Sequence, residues 1–386
     1  MEKTIAFYGC LIVLAGILFP GMSLRPKNEE TFFDRIATKE LQGFFAVFII
    51  FHHIVVIIRT STPYLGLMMN YYYYGILAVA FFFFCSGFGL LKRWMSDKEY
   101  LNGFMKKRVF TVLVPYFICN YIYLTEALIT NMKTHTHFSF PELIGSFFGF
   151  FLVNAEMWFA VEIMLLYIAF RLIFAKIKKP SVGILLITLV VAVIMLTGLK
   201  SGHSESNVMS YWFQGEWWYN TILMFPLGML YAYKEETING FIRKAFIPLT
   251  ILTAAALAVC DYIHRDLIGK EIYWTESETL NDIPDKLLGL SQETIFEIVF
   301  LLFILLIMSK VRIGNPVLKA LGKISLEIIL TNYLVIHLLR FVYVKYGYLV
   351  YIPAVIAGTL LAAAVIYMIK NIVLERKTNF FDGKIQ

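Results

Sequence analysis

Residues 41–58 read LQGFFAVFIIFHHIVVII, from Leu41 to Ile58. Apart from Gln42, the stretch holds only apolar side chains, one glycine and two adjacent histidines, His52 and His53. Roughly 20 apolar residues carry a helix across the hydrocarbon of a bilayer, so this run reads as a membrane span. An ionisable group inside such a span is costly, which makes it a candidate functional residue. Gln42 and His53 are eleven positions apart, about 1,100° of helical rotation, and so share a face to within roughly 20°. The face Gln42–Ala46–Ile49–His53–Ile57 places His53 about 17 Å beyond Gln42 along the axis. An imidazole shielded from water is expected to be uncharged and able to act as a general base.

The rest of the chain has the same character. Of its 386 residues 59% are hydrophobic and 16% charged, and the mean hydropathy is +0.71. That is far less charge than a soluble domain carries. Apolar blocks recur at Ile5–Met22, Leu41–Ile58, Tyr73–Leu91, Val109–Ile129, Trp158–Phe174, Ser181–Leu199, Trp217–Tyr233, Phe246–Ile263, Gln292–Met308, Ile324–Val344 and Leu349–Ile369. The expected fold is an all-α polytopic transmembrane helix bundle of about 11 spans. The net charge of +7 is unevenly spread. Alternate loops hold most of the lysine and arginine, as in Lys106–Lys107–Arg108 and Lys176–Lys178–Lys179. The positive-inside rule then predicts an outer amino terminus and a cytoplasmic carboxyl terminus, in a multi-pass membrane protein. The excess charge orients the chain and does not call for nucleic acid. Ile5–Met22 has only Lys3 as a basic n-region and no small-residue cleavage pattern, so it is read as a retained helix. Cys10, Cys85, Cys119 and Cys260 lie in apolar blocks without metal-ligand spacing, and no disulfide or metal site is expected.

No loop exceeds about thirty residues, too little for a separate soluble module. The expected organisation is residues 1–34 as an amino-terminal helix and cytoplasmic linker, 35–370 as one membrane domain, and 371–386 as a cytoplasmic tail. The outer loop Thr130–Met157 contains PELIGSFFGFFLV, read as an interfacial or re-entrant helix. The other long outer loop, His264–Ser291, is acidic. Tyr71–Tyr74, Trp158, Trp212 and Trp217–Tyr219 crowd span ends, where aromatic rings prefer the headgroup level. A minority of these, Trp158 among them, are free to stack on sugar rings.

Other polar residues fall inside spans. Glu162, in MWFAVEIMLLY, lies at a depth similar to His53 on a helix running the other way. A carboxylate beside the imidazole would fix its tautomer and stabilise its cation; the alternative is a wet cavity or a helix cap. Lys106, Lys107 and Arg108 read as topogenic anchors that can also supply counter-charge to a phosphorylated ligand. Ser86, Gly87 and Gly89 form a close-packing face. Glu327, His337 and Arg340 are candidates for lining one cavity, and Asn332 and Asn220 for bonding across helices. His135, His137, His203 and His264 read as solvated.

Several of these strings, in order, resemble the integral-membrane acyltransferase family 3, which includes bacterial O-acyltransferases of surface polysaccharides. The resemblance runs from about Arg35 to the carboxyl terminus, on a ten-helix layout plus one extra amino-terminal helix. LQGFFAVFIIFHH looks like the family's opening helix and FFFFCSGFGLL like its FF-x-x-SGF signature. FMKKRVFTVLVPYF is similar to its basic-cluster-then-proline motif, EMWFAVEIMLLY to its tryptophan–phenylalanine span, and FPLGMLYA and LGKISLEIILTNYL to two later signatures. The resemblance implies a membrane O-acyltransferase. It would move an acyl group, acetyl by family habit, from cytoplasmic acyl-CoA (acetyl-CoA) to a hydroxyl of a cell-surface or lipid-linked glycan. His53 would be the catalytic base with Glu162 as its carboxylate. Lys107, Arg108 and Gln42 would stand at the donor, and Trp158, His337 and Arg340 at the acceptor. Acyl-CoA would be a donor substrate, with no resident cofactor. Three positions depart from the pattern. Gln42 replaces the usual arginine or lysine, with Lys39 three residues earlier; Thr111 replaces a second arginine; and Asn332 replaces a histidine. The competing readings are a transporter of lipid-linked glycans, for which repeated halves with broken helices are not evident, and a sensory membrane domain without chemistry.

Overall fold

A computed structural model of the chain describes residues 2–26, 29, 31–59, 64–134, 138–199, 210–211, 217–269 and 283–381. It is an all-helical bundle. The first helices are α1 (Glu2–Leu18), α2 (Arg35–Arg59), α3 (Met69–Tyr73) and α4 (Gly75–Ser96). Next come α5 (Phe104–Arg108), α6 (Val114–Thr134), α7 (Phe140–Phe147), α8 (Trp158–Lys176) and α9 (Pro180–Leu199). The second half contributes α10 (Trp217–Asn220), α11 (Met224–Tyr233), α12 (Glu235–Lys244), α13 (Phe246–Gly269) and α14 (Ile283–Lys310). The chain closes with α15 (Pro316–Lys323), α16 (Ser325–Leu338), α17 (Arg340–Tyr346) and α18 (Tyr348–Phe381).

Eight helical segments are long and apolar enough to cross a membrane, and α15 with α16, bent by 74°, make a ninth if counted as one span. Three of the eleven expected blocks do not form one long helix. Helix α1 has 17 residues, about 26 Å, slightly short of a hydrocarbon core of about 30 Å. The block Trp217–Tyr233 is broken into α10 and α11. The cause is Pro226, which has no N–H for the carbonyl of Ile222 and whose ring would strike it. That carbonyl instead accepts from Phe225 N–H at 3.1 Å. The block Ile324–Val344 ends its first helix at Leu338 and restarts at Arg340. Pro115 acts in a milder way: the turn before it, Val109–Leu113, is π-helical, the usual local response to an interrupted ladder. The Thr111 hydroxyl is taken up by the carbonyls of Lys107 and Arg108, at 3.0 and 3.3 Å.

Ties between loops and helix ends join segments that the alternation of spans puts on the same side. At one end, Tyr348 N–H donates to Glu2 (2.7 Å), Arg265 donates to Asn70 (2.8 Å), and β2 (Phe151–Leu152) pairs with β3 (Ser210–Tyr211). At the other end, β1 (Ser23–Leu24) pairs with β4 (Val311–Arg312) and Lys92 bridges to Glu235. The described cysteines are free and buried.

Glycines weld the bundle where helices cross. A Cβ on Gly87 would sit 1.9 Å from Phe225 O, and one on Gly228 2.0 Å from Phe84 O, so α4 and α11 touch backbone to backbone. Gly43 and Gly322 do the same for α2 and α15. Gly87 therefore fulfils the packing expectation, whereas Gly89 faces open space and Ser86 bonds to Tyr167 Oη at 2.8 Å.

The segment between α6 and α8 forms α7, too short to cross. Ser139 and Glu142 close a capping box at its start, and the Ser139 hydroxyl and backbone N–H hold the Glu142 carboxyl below its usual range. Asn120 of α6 donates to Ser146 O at 2.8 Å, while Phe140, Ile144, Phe147, Phe148 and Phe150 stay exposed, as suits a membrane interface. The segment then leads through β2 to a 3-10 turn, Ala155–Met157, at the head of α8.

Candidate active site

Helix α2 begins where the Asp34 carboxylate accepts the backbone N–H groups of Ile36 and Ala37, at 2.8 and 2.9 Å, a side-chain cap. From there α2 is buried along most of its length, and His53 is 6% exposed. Its ring faces a cavity of about 30 Å³ lined by Ile49, Val79, Phe82, Glu156, Trp158, Phe159 and Ile329. That space takes roughly two water-sized groups. Four elements contribute: α2, α4, the 3-10 turn with α8, and α16.

Both ring nitrogens have partners. Nδ1 lies 2.6 Å from Asn332 Oδ1, and Nε2 lies 3.0 Å from Glu156 Oε2. The Asn332 amide has one possible orientation. Its nitrogen donates to Ile328 O (3.0 Å) and Ile329 O (2.9 Å) on its own helix, which leaves only its oxygen for the ring. An amide oxygen accepts, so His53 Nδ1 carries hydrogen and Nε2 is the basic atom. The turn holding Asn332 is itself propped by Tyr123 of α6. The Tyr123 hydroxyl donates to Leu330 O (3.2 Å) and accepts from Leu334 N–H (2.7 Å). It thus spans one rung of the α16 ladder with a two-bond bridge. Glu156 is positioned by Asn154, whose Oδ1 accepts the Glu156 backbone N–H at 3.1 Å.

The carboxylate beside His53 is therefore Glu156 and not Glu162. Glu162 is fully buried on α8, and neither of its oxygens has a hydrogen-bond partner among the described residues. Equal depth on antiparallel helices did not bring it to the ring, because the 3-10 turn ahead of α8 folds Glu156 over the cavity first. Asn332 does bond across helices, with His53 as its partner. Trp158 lines the cavity. His337 and Arg340 are exposed and do not line it; His337 stacks near Tyr333, 4.6 Å between ring centroids. Glu327 is elsewhere again, buried in an ion pair with Lys370 of α18.

His52 is held apart from this chemistry. Its Nδ1 donates to Tyr71 O at 3.1 Å, and its ring lies against Gly75, where a Cβ would fall 2.3 Å from Nδ1. His264, expected to be solvated, is buried; Nε2 bonds to Tyr73 O at 2.9 Å and Nδ1 lies 3.6 Å from Glu293. His135, His137 and His203 lie outside the described residues.

At the other end of α2 a group of cations gathers. Lys39 is exposed and feels the charges of Arg108, Arg35 and Glu327; Lys107 feels those of Arg108, Arg35 and Arg93. The Arg108 guanidinium lies over the rings of Phe104 (5.1 Å) and Tyr167 (4.7 Å) and donates to Tyr100 Oη at 2.9 Å. Its Nε is buried without a partner among the described residues, an N–H suited to a phosphate oxygen. Gln42 is buried, one turn further along α2 than Lys39. Among the described residues no group of three metal-ligating side chains is near enough to hold a metal ion.

A basic nitrogen opening on a small cavity within the bundle, with a cationic group at the far end of the same helix, suits transfer of a group carried by an anionic donor. A family model described as an acyltransferase domain matches residues 41–368. No curated protein and no solved structure matches the chain.

Proposed function

The chain belongs to the acyltransferase 3 family, and from that membership we propose that it transfers an acyl group, acetyl by preference, from acyl-CoA to a hydroxyl of a cell-surface or lipid-linked glycan. The lysine- and arginine-rich loops face the cytoplasm in this reading, so the donor comes from inside and the acceptor from outside. Eleven crossings, with α1, the broken α10–α11 unit and α15–α16 each counted, give the alternation that this requires.

The donor phosphates rest on Arg35, Lys39, Lys107 and Arg108. Lys39 takes the part that the uncharged Gln42 cannot. From Lys39 to His53 is fourteen residues, about 21 Å along the helix axis, a gap that an extended pantetheine arm bridges. The acceptor hydroxyl enters the cavity beside Trp158 and Phe159, whose rings suit the faces of a sugar. Its proton goes to the His53 side, its oxygen bonds to the thioester carbonyl carbon, and the carbon–sulfur bond breaks. The released thiolate regains a proton, leaving an ester outside and CoA inside.

The observation that carries this reading is His53 Nε2, a basic atom in a closed part of the bundle, its tautomer fixed by Asn332. The experiment is surface-glycan mass spectrometry of a deletion strain complemented with wild-type protein or His53→Ala. Wild-type protein is expected to restore an acyl mass increment and His53→Ala, inserted at equal level, to leave it absent. An increment restored by His53→Ala would overturn the assignment.

A further inference from the structure

The base atom of His53 is already occupied. With Nδ1–H committed to Asn332, Nε2 of a neutral ring offers only a lone pair, and the Glu156 carboxylate also offers only lone pairs. Two such atoms do not rest 3.0 Å apart without a hydrogen between them. The pair therefore holds one proton on that line, written either as carboxylic acid with imidazole or as carboxylate with imidazolium. Glu156 also lines the cavity, and its side chain is 26% exposed, so an entering hydroxyl meets the carboxyl group as it meets the ring. Glu162, by contrast, reaches neither.

We propose that Glu156 is a catalytic residue and that the base of this enzyme is the Glu156–His53 pair. The proposal rests on the acyl-transfer reading above. In the resting state the pair holds one proton. The acceptor hydroxyl binds against the Glu156 carboxyl group; as its oxygen bonds to the thioester carbon, its proton passes to the pair. The pair then holds two protons, as imidazolium with carboxylic acid. When the carbon–sulfur bond breaks, one of them passes to the thiolate, and the pair returns to its one-proton state with ester and thiol released. Asn332 does not exchange protons in this cycle. It keeps Nδ1–H in place so that both transfers use the Nε2 side.

The test uses membranes of the deletion strain complemented with full-length wild-type protein, Glu156→Gln or Glu156→Asp, supplied with radiolabelled acetyl-CoA; the membranes provide the native acceptor. Label entering glycan is followed against donor concentration and pH. Glutamine keeps the shape and can donate to Nε2, but it cannot carry the proton. Glu156→Gln is expected to lower kcat by at least about 100-fold, the low end of general acid–base catalysis, with KM for acetyl-CoA within about twofold of wild type. Glu156→Asp is expected to recover part of that loss and to shift the pH profile of kcat, neither of which a purely structural role would do. Wild-type-like kcat in Glu156→Gln, or a loss confined to acceptor KM, would overturn the proposal by reducing Glu156 to a binding group. A faster Glu156→Gln enzyme would overturn it by making Glu156 a plug on His53. If wild-type membranes incorporate no label above the deletion strain, the acyl-transfer reading fails, and this proposal with it.

Discussion

Asn332 Oδ1 lies 2.6 Å from His53 Nδ1, and the Asn332 amide nitrogen is spent on two carbonyls of its own helix. The amide can present only an acceptor to the ring, so a residue on α16 decides which nitrogen of a residue on α2 is basic. Replacing Asn332 with leucine removes the acceptor that holds hydrogen on Nδ1, so the ring can settle as Nε2–H against a Glu156 carboxylate, with its lone pair moved to Nδ1, away from that carboxyl group. Asn332→Leu is expected to lower kcat by about 100-fold or more, in the range of general-base losses, with a stability loss of roughly 1–3 kcal/mol from the buried ring nitrogen left without a partner. Asn332→Asp keeps an acceptor on Nδ1 and is expected to retain more activity than Asn332→Leu. Equal rates in the two variants, measured as acyl-CoA turnover, would argue against control of the tautomer.

Tyr123 supplies the next layer. Its hydroxyl answers both Leu330 O and Leu334 N–H, and both lose that partner without it. Tyr123→Phe is expected to destabilise the protein by roughly 1–3 kcal/mol and to reduce turnover without altering the KM for donor. Thermal unfolding in detergent reads the first effect. An unchanged melting temperature would mean that the α16 ladder closes over the gap by itself.

How far these relationships could be read from the chain differs residue by residue. His53 was legible because an imidazole in a lipid-length apolar run has no bland explanation, and the face it shares with Ile49 does line the cavity. Glu156 was not, because depth along regular helices says nothing of the 3-10 turn ahead of one, where Glu156 sits. The signal was present in Asn154-x-Glu156, an asparagine at a cap followed by a carboxylate, which marks a backbone-fixed start. Pro226 and Pro115 likewise advertised their breaks, but hydropathy runs straight through a proline. The close contacts of Gly87 and Gly228 were partly legible as small residues in a span; Gly89 carries the same signal and faces open space, because one helix's sequence does not say where its neighbour lies.

In the proposed reading the cationic group separates donor binding from chemistry. Lys39 feels Arg108 and Arg35 across the cluster yet stands fourteen residues from His53. Lys39→Gln is expected to raise KM for acetyl-CoA about tenfold, equivalent to about 1.4 kcal/mol and in the range of one charge-assisted hydrogen bond, and to leave kcat within about twofold. The effect should shrink as salt screens the donor's charge. A fall in kcat with constant KM would place Lys39 in the reaction step instead.

Helix contacts at glycine give a prediction with its own control. A Cβ on Gly228 would lie 2.0 Å from Phe84 O, whereas one on Gly89, on the neighbouring helix, meets nothing within 4 Å. Backbone cannot yield as a side-chain tip can, so Gly228→Ala must separate α4 from α11 along a buried seam. The expected loss is about 1–3 kcal/mol or more, read as a lower melting temperature. Gly89→Ala adds the same methyl group to an exposed helical position and should be neutral or stabilise by up to about 1 kcal/mol through helix propensity. Because α4 also carries Val79 and Phe82 into the His53 cavity, Gly228→Ala should slow turnover even in the fraction that stays folded, and Gly89→Ala should not. Equal melting temperatures for the two variants would show that the α4–α11 seam is looser than backbone contact implies.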